Sequence, residues 1–137
     1  MLPHIIFGGN HIDHRGELKF NNSFNMFQVK RFYSISLNKK HLRKWQGHEI
    51  EQRWFTAISG KFNIQLILVD NWIEPSINLP KLGFELSSKS LDVLHIPSGY
   101  LTSIEGLDDN SILLAMSDYS LNEINDDYKF PNKYFKI

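Results

Sequence analysis

Two short stretches hold most of the side chains capable of chemistry. Residues 43 to 48 read Arg43-Lys44-Trp45-Gln46-Gly47-His48, and Arg53 follows, seven positions before Gly60. The run Ile96-Pro97-Ser98-Gly99-Tyr100-Leu101-Thr102 is the second constellation. His48 is the natural general base, because an unperturbed imidazole titrates at about 6.5. Arg43 and Arg53 carry planar guanidiniums, which hold a phosphate or a developing oxyanion through paired hydrogen bonds. Gln46 can read a substrate by hydrogen bonding but cannot take a proton from carbon near neutral pH. Tyr33 offers a phenol for proton relay, and Trp45, Trp54 and Tyr100 offer rings that stack on a base or a sugar. Each has a plainer alternative: a structural histidine, surface ion pairs, or aromatic side chains packed in a core. His4, His11, His14, His41 and His95 show no partner pattern.

These groups sit in a chain of 137 residues, long enough for one domain with a real core. Its 15 Lys+Arg balance 15 Asp+Glu, for a formal net charge of zero. That balance gives no long-range attraction to nucleic acid or to an anionic membrane, and neither is an expected partner. The densest basic run, Lys39-Lys40-His41-Leu42-Arg43-Lys44, reads equally as a solvated loop or as part of a basic pocket. The chain has no cysteine, which removes disulfides and thiolate metal sites and suits a reducing cytoplasm. Residues 1 to 9 lack the basic and apolar regions of a signal peptide, and no apolar run approaches the length of a membrane span.

The elements that must position the candidates are strands. Phe62, Ile64, Leu66 and Leu68 alternate with Asn63, Gln65, Ile67 and Val69, the period of a strand with an apolar face. Residues 28–35, 54–58 and 111–116 are rich in β-formers, and shorter candidates lie at 16–20, 83–86, 93–96 and 103–105. Turn signals separate them: Ser59-Gly60-Lys61, Glu74-Pro75-Ser76, Leu79-Pro80, Pro97-Ser98-Gly99 and Asp108-Asp109-Asn110. Many short strands at near-regular spacing predict an all-β sandwich or barrel. A helical turn or two is expected only after Tyr119, with Ser120 as N-cap and Glu123 three residues on.

The order and spacing of these residues resemble the two motifs of the cupins. The first motif has the form His-x-His, a Glu a few residues on, then six residues and a Gly; the second is Pro-x-Gly-x-x-His. On this chain the four ligand positions fall on Gln46, His48, Arg53 and Thr102. One imidazole beside a guanidinium cannot hold a divalent cation, because the Arg repels it and donates no lone pair. No metal and no other cofactor is therefore expected.

Among cupins, the chain resembles the metal-free nucleotide-sugar enzymes. Asp13-His14-Arg15-Gly16 is similar to their Asp-x-Arg-Gly start. Val29-Lys30-Arg31-Phe32-Tyr33 is similar to the Lys-Arg-aromatic-Tyr strand of the dTDP-sugar 3,4-ketoisomerases, the WxcM-like family. Arg43 and His48 match the Arg and the second His of that family's Arg-Gly-x-His-Ala-His. Arg53 stands where the related dTDP-4-dehydrorhamnose 3,5-epimerases carry Lys, and Ile96-Pro97-Ser98-Gly99-Tyr100 resembles their Ile-Pro-x-Gly-Phe. The chain departs from the pattern at Gln46, where the epimerases have their base, at Leu114 or Ala115, near their Tyr acid, and at Thr102.

The resemblance implies an all-β cupin fold, a double-stranded β-helix or jelly-roll barrel, over residues 1–137. It implies isomerisation or epimerisation of a dTDP-4-keto-6-deoxyhexose by proton abstraction next to the keto group, for surface-polysaccharide sugars. It also implies a cytoplasmic homodimer, often with exchanged N-terminal strands. His48 and Tyr33 are the expected catalytic groups, and Arg43, Gln46, Arg53, Trp45 and Tyr100 the expected substrate-binding groups. Asp126 or Asp127 is either a carboxylate partner of His48 or the cap of a surface turn. The alternative is a non-catalytic sugar or nucleotide-sugar binding cupin, which the loss of the first His favours.

Overall fold

The computed structural model describes residues 1–136, which form twelve strands and no helix. In chain order these are β1 (His4–Ile6), β2 (Gly9–Asp13), β3 (Gly16–Phe20), β4 (Arg31–Leu37), β5 (Leu42–His48) and β6 (Arg53–Ser59). They continue with β7 (Lys61–Leu68), β8 (Leu82–Ser87), β9 (Val93–Ile96), β10 (Tyr100–Gly106), β11 (Ser111–Ser117) and β12 (Tyr128–Lys129). Two antiparallel five-stranded sheets have the orders β1-β9-β6-β11-β4 and β12-β5-β10-β7-β8. The β2–β3 hairpin pairs with no other strand among the described residues.

The two sheets close on a shared core. Phe62, Ile64 and Leu66 of β7 meet Phe55 and Ala57 of β6, Leu94 and Ile96 of β9, and Leu113 and Ala115 of β11. The opposite face of β7 is also covered: Ile67 joins Trp45 and Leu101 beneath Phe135. Cover on both faces at this end of β7 is why Leu66 and Ile67 are both buried, while Leu68 is 57% exposed.

The basic run 39–44 divides between a turn and a strand. Lys40 takes a left-handed conformation (φ 69°), and β5 starts at Leu42. Little in Arg43-Lys44-Trp45-Gln46-Gly47 favours a strand by propensity; burial of Trp45 on one side and of His48 on the other decides it. β5 lies so close to β10 that a Cβ at Gly47 would stand 2.1 Å from the Tyr100 carbonyl oxygen. The expected helical turn after Tyr119 does not form. Glu123 Oε1 accepts the Ser120 N–H at 2.9 Å, but Asn122 turns left-handed (φ 62°), and the helical path ends there. No helix among the described residues is long and apolar enough to cross a membrane.

Candidate active site

Four strands and two loops converge on a cavity of about 310 Å³. Period two in β4 sends Arg31, Tyr33 and Ile35 inward, while Phe32 turns out and is 70% exposed. In β5, Gln46 and His48 face the cavity and Trp45 faces away. Strict alternation would turn Arg43 away as well. The register prevents this: Thr102 of β10 pairs with Gln46 but Ile104 pairs with Arg43, so three steps along β5 answer two along β10. This β-bulge adds one residue and brings Arg43 to the cavity wall. β6 opens with Arg53, β10 adds Thr102 and Ile104, and residues 121–127 form the remaining wall.

Buried charges organise the floor. Asp126 accepts hydrogen bonds from the backbone N–H groups of Glu49 (3.0 Å), Ile50 (2.9 Å) and Glu51 (2.8 Å), which pins the β5–β6 loop. That loop places Glu51 Oε2 3.2 Å from His48 Nδ1. Glu51 Oε1 accepts the Ser117 hydroxyl and faces Arg31 Nη2 at 3.7 Å and Arg53 Nε at 3.8 Å. Asp126 Oδ2 stands 3.9 Å from His48 Nδ1. Despite these approaches, neither ring nitrogen of His48 nor Arg53 Nε has an aligned hydrogen-bond partner among the described residues.

Burial, and then the positive charge of Arg53, hold the His48 pKa below its ordinary value; Glu51, Asp126 and Asp127 pull the other way. The imidazole is therefore neutral near pH 7, the state in which it accepts a proton. Tyr33 lies against two guanidiniums, with Arg31 Cζ 5.0 Å and Arg53 Cζ 5.9 Å from its ring centroid. Gln46 Nε2 donates to Asp127 Oδ1 at 3.1 Å. Arg43 has no ion-pair partner among the described residues, which leaves its guanidinium free for a ligand.

Five of the seven residues expected at the site, Tyr33, Arg43, Gln46, His48 and Arg53, thus line one cavity. The other two do not. Trp45 projects from the opposite face of β5 into the second core, edge-on to Phe135 at 5.5 Å. Tyr100 is 5% exposed and packs in the main core, where burial raises its hydroxyl pKa. Neither ring reaches the cavity to stack on a ligand. Asp126 does cap a turn, but a buried one beside His48 rather than one at the surface. Glu51 and Arg31 carry much of the site's charge and were not singled out by the sequence. Alternation along Arg31-Phe32-Tyr33 could have flagged Arg31, since Arg31 and Tyr33 share a face; Glu51 gave no such signal, because a loop residue's burial has no period.

The four positions that resemble cupin ligands, Gln46, His48, Arg53 and Thr102, all line this cavity, and only His48 is a ligand type. His48, Glu51 and Asp126 also bring ligand atoms within 4.8 Å of one another. Their donor chemistry does not fit a divalent ion. Asp126 spends its oxygens on three amides, Glu51 Oε1 is taken by Ser117, and two guanidiniums stand beside the carboxylate.

No protein-family model matches the chain, and no curated protein matches it by sequence. Solved structures do match by shape. One is a variant of the 3,4-ketoisomerase QdtA from Thermoanaerobacterium thermosaccharolyticum in complex with TDP-4-keto-6-deoxyglucose: TM-score 0.72, 20% identity, covering 98% of this chain and 93% of that one. A dTDP sugar isomerase from Desulfovibrio desulfuricans G20 gives TM-score 0.74 and 14% identity over 98% of this chain and 88% of that one. The 3,5-epimerase RmlC from Legionella pneumophila, in complex with dTDP-4-keto-L-rhamnose, gives 0.73 and 14% over 95% and 73%. With two antiparallel sheets closed on one core and these likenesses across nearly its whole length, the chain has the RmlC-like cupin jelly-roll fold.

Proposed function

We propose that this protein isomerises or epimerises a dTDP-4-keto-6-deoxyhexose by taking a proton from the carbon next to the keto group. The observation that carries the reading is His48: buried, held neutral, and with both ring nitrogens free of hydrogen bonds among the described residues, in a cavity that also presents three arginines. The C–H bond breaks toward His48, and its electron pair moves onto the keto oxygen as an enolate. That oxygen needs a preorganised donor, and Arg53 Nε is buried and makes no hydrogen bond among the described residues. For the epimer, the Tyr33 hydroxyl returns a proton to the opposite face of the same carbon. For the isomer, it protonates the former keto carbon while the hydroxyl proton of the deprotonated carbon passes to the enolate oxygen, which leaves a carbonyl at the new position. The proton held by His48 then restores the Tyr33 phenol. Arg43 holds the diphosphate, and Gln46 reads the sugar. The ligands held by the QdtA and RmlC structures of the same fold support this substrate class.

The reading extends to a cytoplasmic homodimer of single-domain chains that serves the synthesis of surface-polysaccharide sugars. The β2–β3 hairpin supports the dimer: among the described residues its strands pair only with each other, and Ile12 and Leu18 are 69% and 63% exposed. A lone two-stranded hairpin is marginal in water, and a second copy would cover it.

A second reading, a non-catalytic nucleotide-sugar binder, is favoured by one observation: Gln46 stands where a base is expected and is engaged by Asp127. Incubation with dTDP-4-keto-6-deoxyglucose in heavy water, followed by proton NMR, separates the two. Deuterium at C3 or C5, or a new keto-sugar spectrum, is the expected result. Line broadening of the nucleotide without exchange supports the binder, and neither effect rejects the substrate class.

A further inference from the structure

The two oxygens of Glu51 have different surroundings. Oε1 accepts the Ser117 hydroxyl and faces the guanidiniums of Arg31 and Arg53. Oε2 is left facing His48 Nδ1 at 3.2 Å. Asp126 is the weaker candidate for that nitrogen. Its nearer oxygen is 3.9 Å away, and its carboxylate already accepts three backbone N–H groups.

A neutral imidazole has one N–H and one lone pair, and an ionised carboxylate only accepts. Opposite Glu51, an N–H on Nδ1 is attracted and a lone pair on Nδ1 is repelled. The other nitrogen, Nε2, has no partner among the described residues to compete for it. We propose that Glu51 is a positioning residue that holds His48 in its Nδ1-protonated tautomer, so that Nε2 presents the free lone pair to the substrate. When Nε2 takes the substrate proton, the new imidazolium charge faces a carboxylate anchored on its far oxygen. The proton remains on His48, and Glu51 changes no bond. The division of labour is that of an oriented histidine base, here built from a carboxylate three residues along the chain.

This inference rests on His48 as the proposed base, yet its test needs no turnover. In 15N-labelled protein above the His48 pKa, long-range proton–nitrogen correlation reports which ring nitrogen carries hydrogen, and the His48 signals are those missing from His48→Asn. The expected wild-type spectrum is Nδ1-protonated. In Glu51→Gln an amide N–H faces Nδ1, and the spectrum is expected to move toward the Nε2-protonated tautomer. Where turnover is present, kcat falls about 100-fold or more with little change in KM. An Nε2-protonated wild-type His48 overturns the proposal, as does a folded Glu51→Gln with an unchanged tautomer. If Glu51→Gln does not fold, the wild-type spectrum decides alone. An Nδ1-protonated wild-type spectrum without exchange on the keto sugar keeps the positioning role and rejects only the enzyme reading.

Discussion

Arg43 and Gln46 stand three residues apart on β5 yet face the same cavity, because the bulge opposite Thr102 and Ile104 inserts one residue into the strand. The bulge delivers a guanidinium with no ion-pair partner among the described residues to a wall that already carries a hydrogen-bonding amide. Arg43→Ala is expected to weaken dTDP binding about 10- to 100-fold, the loss of about 1.5–3 kcal/mol from charge-assisted hydrogen bonds. Arg43→Lys keeps the charge but loses the fork, so an intermediate loss is expected. Calorimetric titration at fixed salt measures both, and an unchanged Kd in Arg43→Ala would place the diphosphate elsewhere.

Trp45 supplies the opposite expectation. Its ring lies in the outer core against Phe135, not in the cavity. Trp45→Ala should cost about 3–5 kcal/mol of stability, and Trp45→Phe less, because part of the volume is kept. The folded Trp45→Phe protein should bind dTDP with the wild-type Kd. Denaturant unfolding and the same titration check both parts, and a large affinity loss at wild-type stability contradicts this placement of the ring.

What could be read from the sequence, and what could not, follows from the reach of each signal. Alternation in β7 and the turn at Gly60 are local, so the strands around them were legible. Gln46, His48 and Arg53 are legible through the spacing of the motifs, whereas Arg43 reaches the cavity only through the bulge, which no spacing reveals. Trp45 was misread: a ring between two cavity residues looks like a stacking platform until alternation sends it to the other face. Glu51 was invisible for another reason. Its burial depends on Asp126, 75 residues further along, which holds the loop through backbone amides. Nothing periodic encodes that contact. β5 is not among the strands the sequence suggests, since its polar residues favour a loop and only packing on both faces makes it a strand.

Acid should unfold the protein through its buried histidines. His95 stacks on Trp54 and bonds to Gln52, and burial, with the nearby His4 and the N-terminus, lowers its pKa from 6.5 to about 4. His48 is shifted in the same direction. Both are neutral when folded and charge more readily when unfolded, so the unfolded chain binds more protons as pH falls. The His95 contribution is full above pH 6.5 and is lost as pH drops toward about 4, and His48 adds to the loss in the same direction. For His95, which lies near the sheet edge, the loss is about 2 kcal/mol after solvent screening. Melting temperatures from pH 7 to pH 4 should fall, and His95→Gln should flatten part of that slope. A parallel slope in the variant would assign the acid sensitivity to other groups.

Tyr33→Phe separates proton removal from proton return. The ring keeps its place against Arg31 and Arg53, since a phenyl face attracts guanidinium as a phenol face does. Stability should therefore change little. If the hydroxyl returns the proton, product formation falls about 10²- to 10⁴-fold, the usual worth of a positioned acid. His48 remains able to abstract, so deuterium should still enter the keto sugar from heavy water while conversion is blocked. Proton NMR reads both events in one sample. Exchange and conversion falling together would instead place Tyr33 in the abstraction step or in substrate binding, and unchanged conversion would remove it from the mechanism.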